Sequence, residues 1–202
     1  MKALKLIVAS ALLVSLSGVA LAVPAVNKPA PDFTAIDSNG KTVNLKDFAG
    51  KKVILEWTNA DCPFVKKHYN SDNMQGLQTK YTEDDVVWLS VISSAKGKQG
   101  YVDGKGANKL SKDRGAAPSH VLLDPEGTIG KAYGAKTTPH MYIVDEKGTL
   151  KYMGAIDSIR SADAADIPKA TNYVNKAMME LAEGKSVSEP VTQAYGCSVK
   201  YK

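Results

Sequence analysis

The stretch "KKVILEWTNADCPFVKKHY", residues 51–69, constrains the fold more than any other part of the chain. Val53, Ile54, Leu55 and Trp57 form a nearly unbroken apolar run, bounded by lysines before it and Asn59 after it. A strand with one wet face alternates apolar and polar residues. A continuous run needs cover on both faces, as a central strand of a layered α/β sheet has. Directly after it, Cys62-Pro63 opens a helical pattern. Proline suits the first helical position, where its missing N–H has no intrahelical partner to lose. Val65, Tyr69, Met74, Leu77 and Tyr81 continue the helical spacing, with Asn70-Ser71-Asp72 as a point of kink or restart.

The remaining segments fit the same plan. "APDFTAIDSNGKTVNLKDFAG" reads as two short strands around Ser38-Asn39-Gly40, because Asn-Gly supplies the positive φ that a tight hairpin needs. "DVVWLSVIS" and "SHVLLD" read as buried strands. Between them lies a Gly- and Lys-rich loop with a short helix near Ala107–Arg114. Its "GYVDGKG" misses the spacing of a phosphate loop. A short helix around "GTIGKAYG" precedes "HMYIVD" and "TLKYMGAID", two strands joined by the turn Glu146-Lys147-Gly148. "IPKATNYVNKAMMELAEGK" reads as a terminal amphipathic helix, apolar at Tyr173, Val174, Ala177, Met178 and Leu181. The expected class is α/β, with a central mixed β-sheet flanked by helices and an N-terminal β-hairpin.

Residues 1–22 have the pattern of a secretory signal: Lys2 and Lys5, an apolar stretch, then Ala20-Leu21-Ala22 as a small-x-small cleavage site. The expected organisation is a signal peptide over 1–22, one domain over 23–186, and a polar tail over 187–202. The mature chain would be periplasmic or secreted, touching membrane only through an uncleaved signal. Losing Lys2 and Lys5 takes two from a formal charge of +5. The remaining lysines are scattered, so nothing argues for nucleic acid.

Two cysteines, Cys62 and Cys197, then define the chemistry. In an oxidising compartment they suggest a structural disulfide. Its long loop would contribute roughly 4–5 kcal/mol on chain-entropy grounds. The surroundings of Cys62 suggest something else. Unpaired N–H groups at a helix start favour an anion, so a thiolate there is stabilised. Lys66, one turn on, adds positive charge. Lys67 and His68 add more in a less defined direction, and Asp61 opposes them.

Two pieces carry a family resemblance: "APDFTAIDSNGKTVNLKDFAGKKVILEWTNADCP" and "YGAKTTPHMYIVDEKGTLKYMGAID". Over about residues 28–185 the chain resembles the redoxin group of the thioredoxin superfamily, which includes peroxiredoxin-like antioxidant domains of the alkyl hydroperoxide reductase type. The resemblance implies a thioredoxin-like fold in which Thr138-Pro139 is a cis-proline loop beside the active cysteine. The Thr138 backbone would pair there with a bound substrate chain. The departures are specific. Val65 stands where C-x-x-C would carry its second cysteine. The peroxiredoxin pattern P-x-x-x-[TS]-x-x-C meets Leu55 and Asn59, with Thr58 one place out of register. Thr138-Pro139 also stands where peroxiredoxins carry a peroxide-polarising arginine.

The resemblance therefore implies a thiol-dependent oxidoreductase with Cys62 as nucleophile. Cys197 would resolve it from a glycine-flanked tail able to swing to its own site or a partner's, as in some peroxiredoxins. Trp57, Thr58, Asn59, Pro63, Thr138 and Pro139 are the expected substrate-positioning residues. Glu56 and Lys66 are the expected proton-relay or pKa-tuning groups, although Glu56 reads equally as a strand-edge residue facing water. Substrates would be a protein or small-molecule disulfide, or a hydroperoxide, with a thiol reductant as partner and no cofactor. Two alternatives stay open: a non-catalytic stapled domain, and a copper-binding protein using Cys62, Cys197, His68 and His140.

Overall fold

The computed structural model describes residues 24–202; the expected signal segment lies outside them. Among the described residues, no helix is long and apolar enough to cross a membrane.

The N-terminal hairpin forms from β1 (Thr34–Asp37) and β2 (Thr42–Asn44). Its turn closes because Gly40 takes φ +80° and Asp37 Oδ1 accepts the backbone N–H groups of Asn39 and Lys41, both at 2.9 Å. The apolar run becomes β3 (Val53–Trp57), followed by β4 (Val87–Ile92), β5 (His120–Leu123), β7 (His140–Val144) and β8 (Leu150–Gly154). These seven strands form one sheet in the order β2-β1-β5-β4-β3-β7-β8. β3, β4 and β5 run parallel, and the flanking pairs are antiparallel. This is the expected mixed α/β sheet of thioredoxin-like type.

Every residue of β3 is buried, and alternation assigns its side chains to two cores. Ile54 packs with Cys62, Tyr69, Trp88, Ile143 and Val174 under α1 (Pro63–Tyr69), α2 (Asn73–Glu83) and α5 (Tyr173–Ala182). Leu55 and Trp57 pack on the other side with Leu89, Leu122, Ile129, Tyr133 and Tyr142, near α4 (Thr128–Ala132).

One boundary falls where it was expected and two do not. The helical stretch after Cys62 breaks at the expected restart, where Asp72 adopts a left-handed φ of +56°. The helix expected near Ala107 begins earlier, as α3 (Gly104–Asp113), because Asp103 caps it by accepting the Gly106 N–H at 2.7 Å. The terminal helix is split. Residues Ala164–Lys169 form a 3-10 turn around Pro168, and α5 starts afresh after Asn172, whose side chain accepts the Asn175 N–H.

The larger difference is the tail, which is not a free arm. Met153 and Thr192 N–H groups exchange bonds with Pro190 and Met153 carbonyls, and Thr192 Oγ1 accepts the Ala155 N–H. Further on, β9 (Cys197–Ser198) pairs antiparallel with β6 (Thr137–Thr138), and Ala95 N–H donates to Lys200. The tail shows no apolar periodicity; it is held by this backbone pairing together with single side chains, Tyr195 in one core and Val199 against the other.

Candidate active site

The loop between β3 and α1 is held by its own side chains. Asn59 is buried; its Oδ1 accepts the Asp61 N–H at 3.0 Å, and its carbonyl accepts the Cys62 N–H. Gly100 presses on it so closely that a Cβ there would lie 2.3 Å from Asn59 Oδ1. Cys62 is the N-cap residue of α1, with extended backbone, and its carbonyl accepts from Val65 and Lys66. Pro63 occupies N1 and is exposed.

Against this helix start lies the second half of the site. The Thr138-Pro139 peptide is cis, and the Cys62 thiol donates to the Thr138 carbonyl at 3.1 Å. Thr138 is also the register partner of Cys197. Both cysteines are free thiols, and β-pairing on one residue brings together positions far apart in the chain. Gly196 makes the approach possible: its φ is +134°, and a Cβ would sit 2.0 Å from the Thr138 carbonyl oxygen.

The two thiols are unequal. Burial pushes the Cys62 pKa up, but the Cys197 thiol and backbone N–H, with help from the Val65 N–H and the Thr138 side chain, bring it below the ordinary cysteine value. Cys197 moves the other way, to about 11, through burial and then through donating its proton toward Cys62. The site thus favours a Cys62 thiolate beside a Cys197 thiol.

The other expected site residues fall in different places. Thr138 and Pro139 lie at the cysteine pair. Thr58 is buried, with its hydroxyl unpartnered. Trp57 is not at the site: it is fully buried in the opposite core, donates to Ser93 Oγ and stacks edge-on with Tyr142. The expectation of a substrate contact there gives way to a packing role, because strand alternation turns Trp57 away from Cys62's layer.

Glu56 faces inward, not water. It accepts from Tyr69, Gln78, Trp88 and Ser90, and no hydrogen bond joins it to Cys62 among the described residues. Lys66 is exposed, and it is not among the main causes of the Cys62 shift. Lys67 is the buried lysine. Its Nζ bonds Asp157 Oδ2 at 3.0 Å, the Ile159 carbonyl at 3.2 Å and the Tyr195 hydroxyl at 3.3 Å. Asp157 and Tyr195 escaped the sequence reading. The one available signal was an aromatic residue just ahead of Gly196-Cys197 in an otherwise polar tail.

Among the described residues, no three His, Cys, Asp or Glu side chains converge as a metal site. The copper reading's four donors therefore do not meet.

The redoxin family profile matches residues 25–173, well over half the chain. The chain belongs to the redoxin family. Thiol-disulfide oxidoreductase ResA of Bacillus thuringiensis subsp. konkukian (strain 97-27) is 29% identical over 125 residues, 62% of this chain and 66% of its own length. Peroxiredoxin bcp1 of Schizosaccharomyces pombe is 29% identical over 130 residues, 60% of each chain. The chain thus spans less than two thirds of the length of these curated relatives. An uncharacterized conserved protein from Geobacillus kaustophilus superposes with a TM-score of 0.77 at 26% identity, covering 88% of this chain and 93% of that one.

Proposed function

We propose that this redoxin is a thiol-disulfide oxidoreductase that uses Cys62 as nucleophile and Cys197 as resolving thiol. The observation that carries the reading is the cysteine pair on the Thr138 edge, with the pKa of Cys62 lowered and that of Cys197 raised to about 11. In the first step the Cys62 thiolate attacks one sulfur of a substrate disulfide, R–S–S–R′. A mixed disulfide with R forms, and R′S⁻ leaves with a proton from solvent. Cys62 then bears no negative charge, which removes two of the influences holding the Cys197 proton in place. Cys197 loses that proton and attacks Cys62 Sγ. The Cys62–Cys197 bond forms, and RS⁻ departs as RSH. Two protein thiols are oxidised and one substrate disulfide is reduced to two thiols. A thiol reductant restores the starting state.

Disulfide exchange is favoured over peroxide reduction by where the two arginines lie. Arg114 stacks on the Tyr69 ring at 3.6 Å, and Arg160 donates to Gln193, so each is engaged elsewhere. The signal-like segment at 1–22 supports action in the periplasm or as a secreted protein.

Peptide mass mapping tests the pair. Reduced protein treated with glutathione disulfide should acquire a Cys62–Cys197 bond that dithiothreitol reverses. Cys62→Ser should abolish turnover of a small aromatic disulfide. An unaltered rate in that variant removes Cys62 from the mechanism.

A further inference from the structure

A second polar cluster lies one helical turn beyond the cysteine pair, and the mechanism above does not use it. Lys67 on α1 and Asp157 after β8 form an ion pair with side chains 0% and 4% exposed. Taking two charges out of water is costly unless every remaining donor and acceptor finds a partner. Here the body supplies only part of that set. The Ile159 carbonyl takes one Lys67 proton, and the Ile159 N–H donates to Asp157 Oδ1 at 3.1 Å. The tail supplies the rest. The Tyr195 hydroxyl donates to Asp157 Oδ1 in a short bond and accepts from Lys67. Its ring stands edge-on against Phe64, with centroids 5.8 Å apart. Tyr195 is two residues ahead of Cys197, in the segment that leads into β9 over a fully buried Cys62.

A chain laid along Thr138 is held against Cys62, because the Thr138 carbonyl lies 3.1 Å from the Cys62 sulfur. β9 already lies there, backbone-paired and carrying a cysteine. We propose that Lys67, Asp157 and Tyr195 are positioning residues: together they latch the Cys197 strand onto the Thr138 edge, so that the reduced chain holds its own tail in the place a substrate strand would take. The latch rests on the reading of Cys62 and Cys197 as a redox pair. It deepens that reading by assigning what sets their encounter and what closes Cys62 to bulky disulfides. A polar latch suits the task. When the strand lifts, water takes over the bonds of Tyr195 to Lys67 and Asp157, whereas an apolar plug would gain nothing from water.

The test uses the full chain with Tyr195→Phe, which deletes one hydroxyl and keeps the ring. In a Cys197→Ala background, the rate of Cys62 alkylation by iodoacetamide should rise at least about tenfold, the effect expected for a lost hydrogen bond to a carboxylate. In the two-cysteine chain, the Cys62–Cys197 disulfide is equilibrated with glutathione. The effective concentration of Cys197 toward Cys62 should fall by a similar factor. A side chain that merely adds stability would lower the melting temperature and move neither reading. Both readings within twofold of the parent, in a folded variant, overturn the latch. Should Tyr195→Phe fail to fold, the double substitution Lys67→Met, Asp157→Leu replaces the ion pair with apolar groups and carries the same test. If the parent chain forms no Cys62–Cys197 bond at any glutathione ratio, the redox-pair reading fails by itself, while the alkylation rates still judge the latch.

Discussion

Acidification should loosen this fold through His68, and the size of the effect follows from where the ring sits. His68 is buried on α1; its Nδ1 bonds the Asn73 side chain at 2.8 Å, while Nε2 has no hydrogen-bond partner and lies 3.8 Å from Asp157 Oδ2. Burial first, and then the Lys67 charge, hold its pKa down to about 4, against the opposing pull of Asp157. In the unfolded chain the same ring titrates near 6.5. Above pH ~6.5 both states are neutral, and His68 adds no pH dependence. As pH falls from ~6.5 toward ~4, only the unfolded chain takes up the proton, so folded stability drops by about 1.4 kcal/mol per unit and about 3 kcal/mol in all. His140, held at about 4 by burial and then by Lys136, adds a loss of similar size over the same window. The two together, about 6 kcal/mol, match the low end of the stability of an ordinary domain, roughly 5–15 kcal/mol. Urea unfolding between pH 4 and 7.5 measures this directly in the parent and in His68→Asn. The variant starts less stable because it leaves a cavity, but its curve should be flatter, losing about 3 kcal/mol less between pH 6.5 and 4. Parallel curves, agreeing within about 1 kcal/mol after the offset is removed, would refute the assignment of a neutral buried imidazole.

The same geometry makes two further predictions. Cys197→Ala removes the thiol that lowers the Cys62 pKa, so the midpoint of the Cys62 alkylation rate against pH should move upward; an unmoved midpoint would mean that the helix start alone sets it. Trp57→Phe deletes the bond to Ser93 and some packed area, and should cost about 1–3 kcal/mol in urea unfolding. Turnover per folded molecule should be unchanged; a depressed kcat in a fully stable variant would return Trp57 to the active site.

Local pattern was enough to locate the nucleophile. An apolar run covered on both faces and a Cys-Pro step at its end put Cys62 at a strand-to-helix junction, and the structure has it as the N-cap of α1. The turn residues Asn39-Gly40 and Glu146-Lys147-Gly148 likewise announced their hairpins, because positive φ is a local demand that few residues meet. The lysines were harder. Lys66 and Lys67 are adjacent in sequence, and only the packing of α1 against Asp157 and the tail decides that Lys66 faces water and Lys67 is buried. Glu56 was undecidable for the same reason. A carboxylate in an apolar strand is tolerated when donors surround it, and those donors come from α1, α2 and β4.

By itself, the sequence determined most of the strand and helix order, the mixed sheet and the position of Cys62. These rest on residue type and on spacing within a few positions. Only the tertiary structure decided that Cys197 meets Cys62, that Gly196 lets the two backbones close on Thr138, and that Tyr195 completes the Lys67–Asp157 pair. Each of those depends on segments remote in the chain. Their attraction lies in backbone pairing, in single packed side chains such as Tyr195 and in the satisfaction of buried charge, and none of these leaves a periodic mark in the sequence.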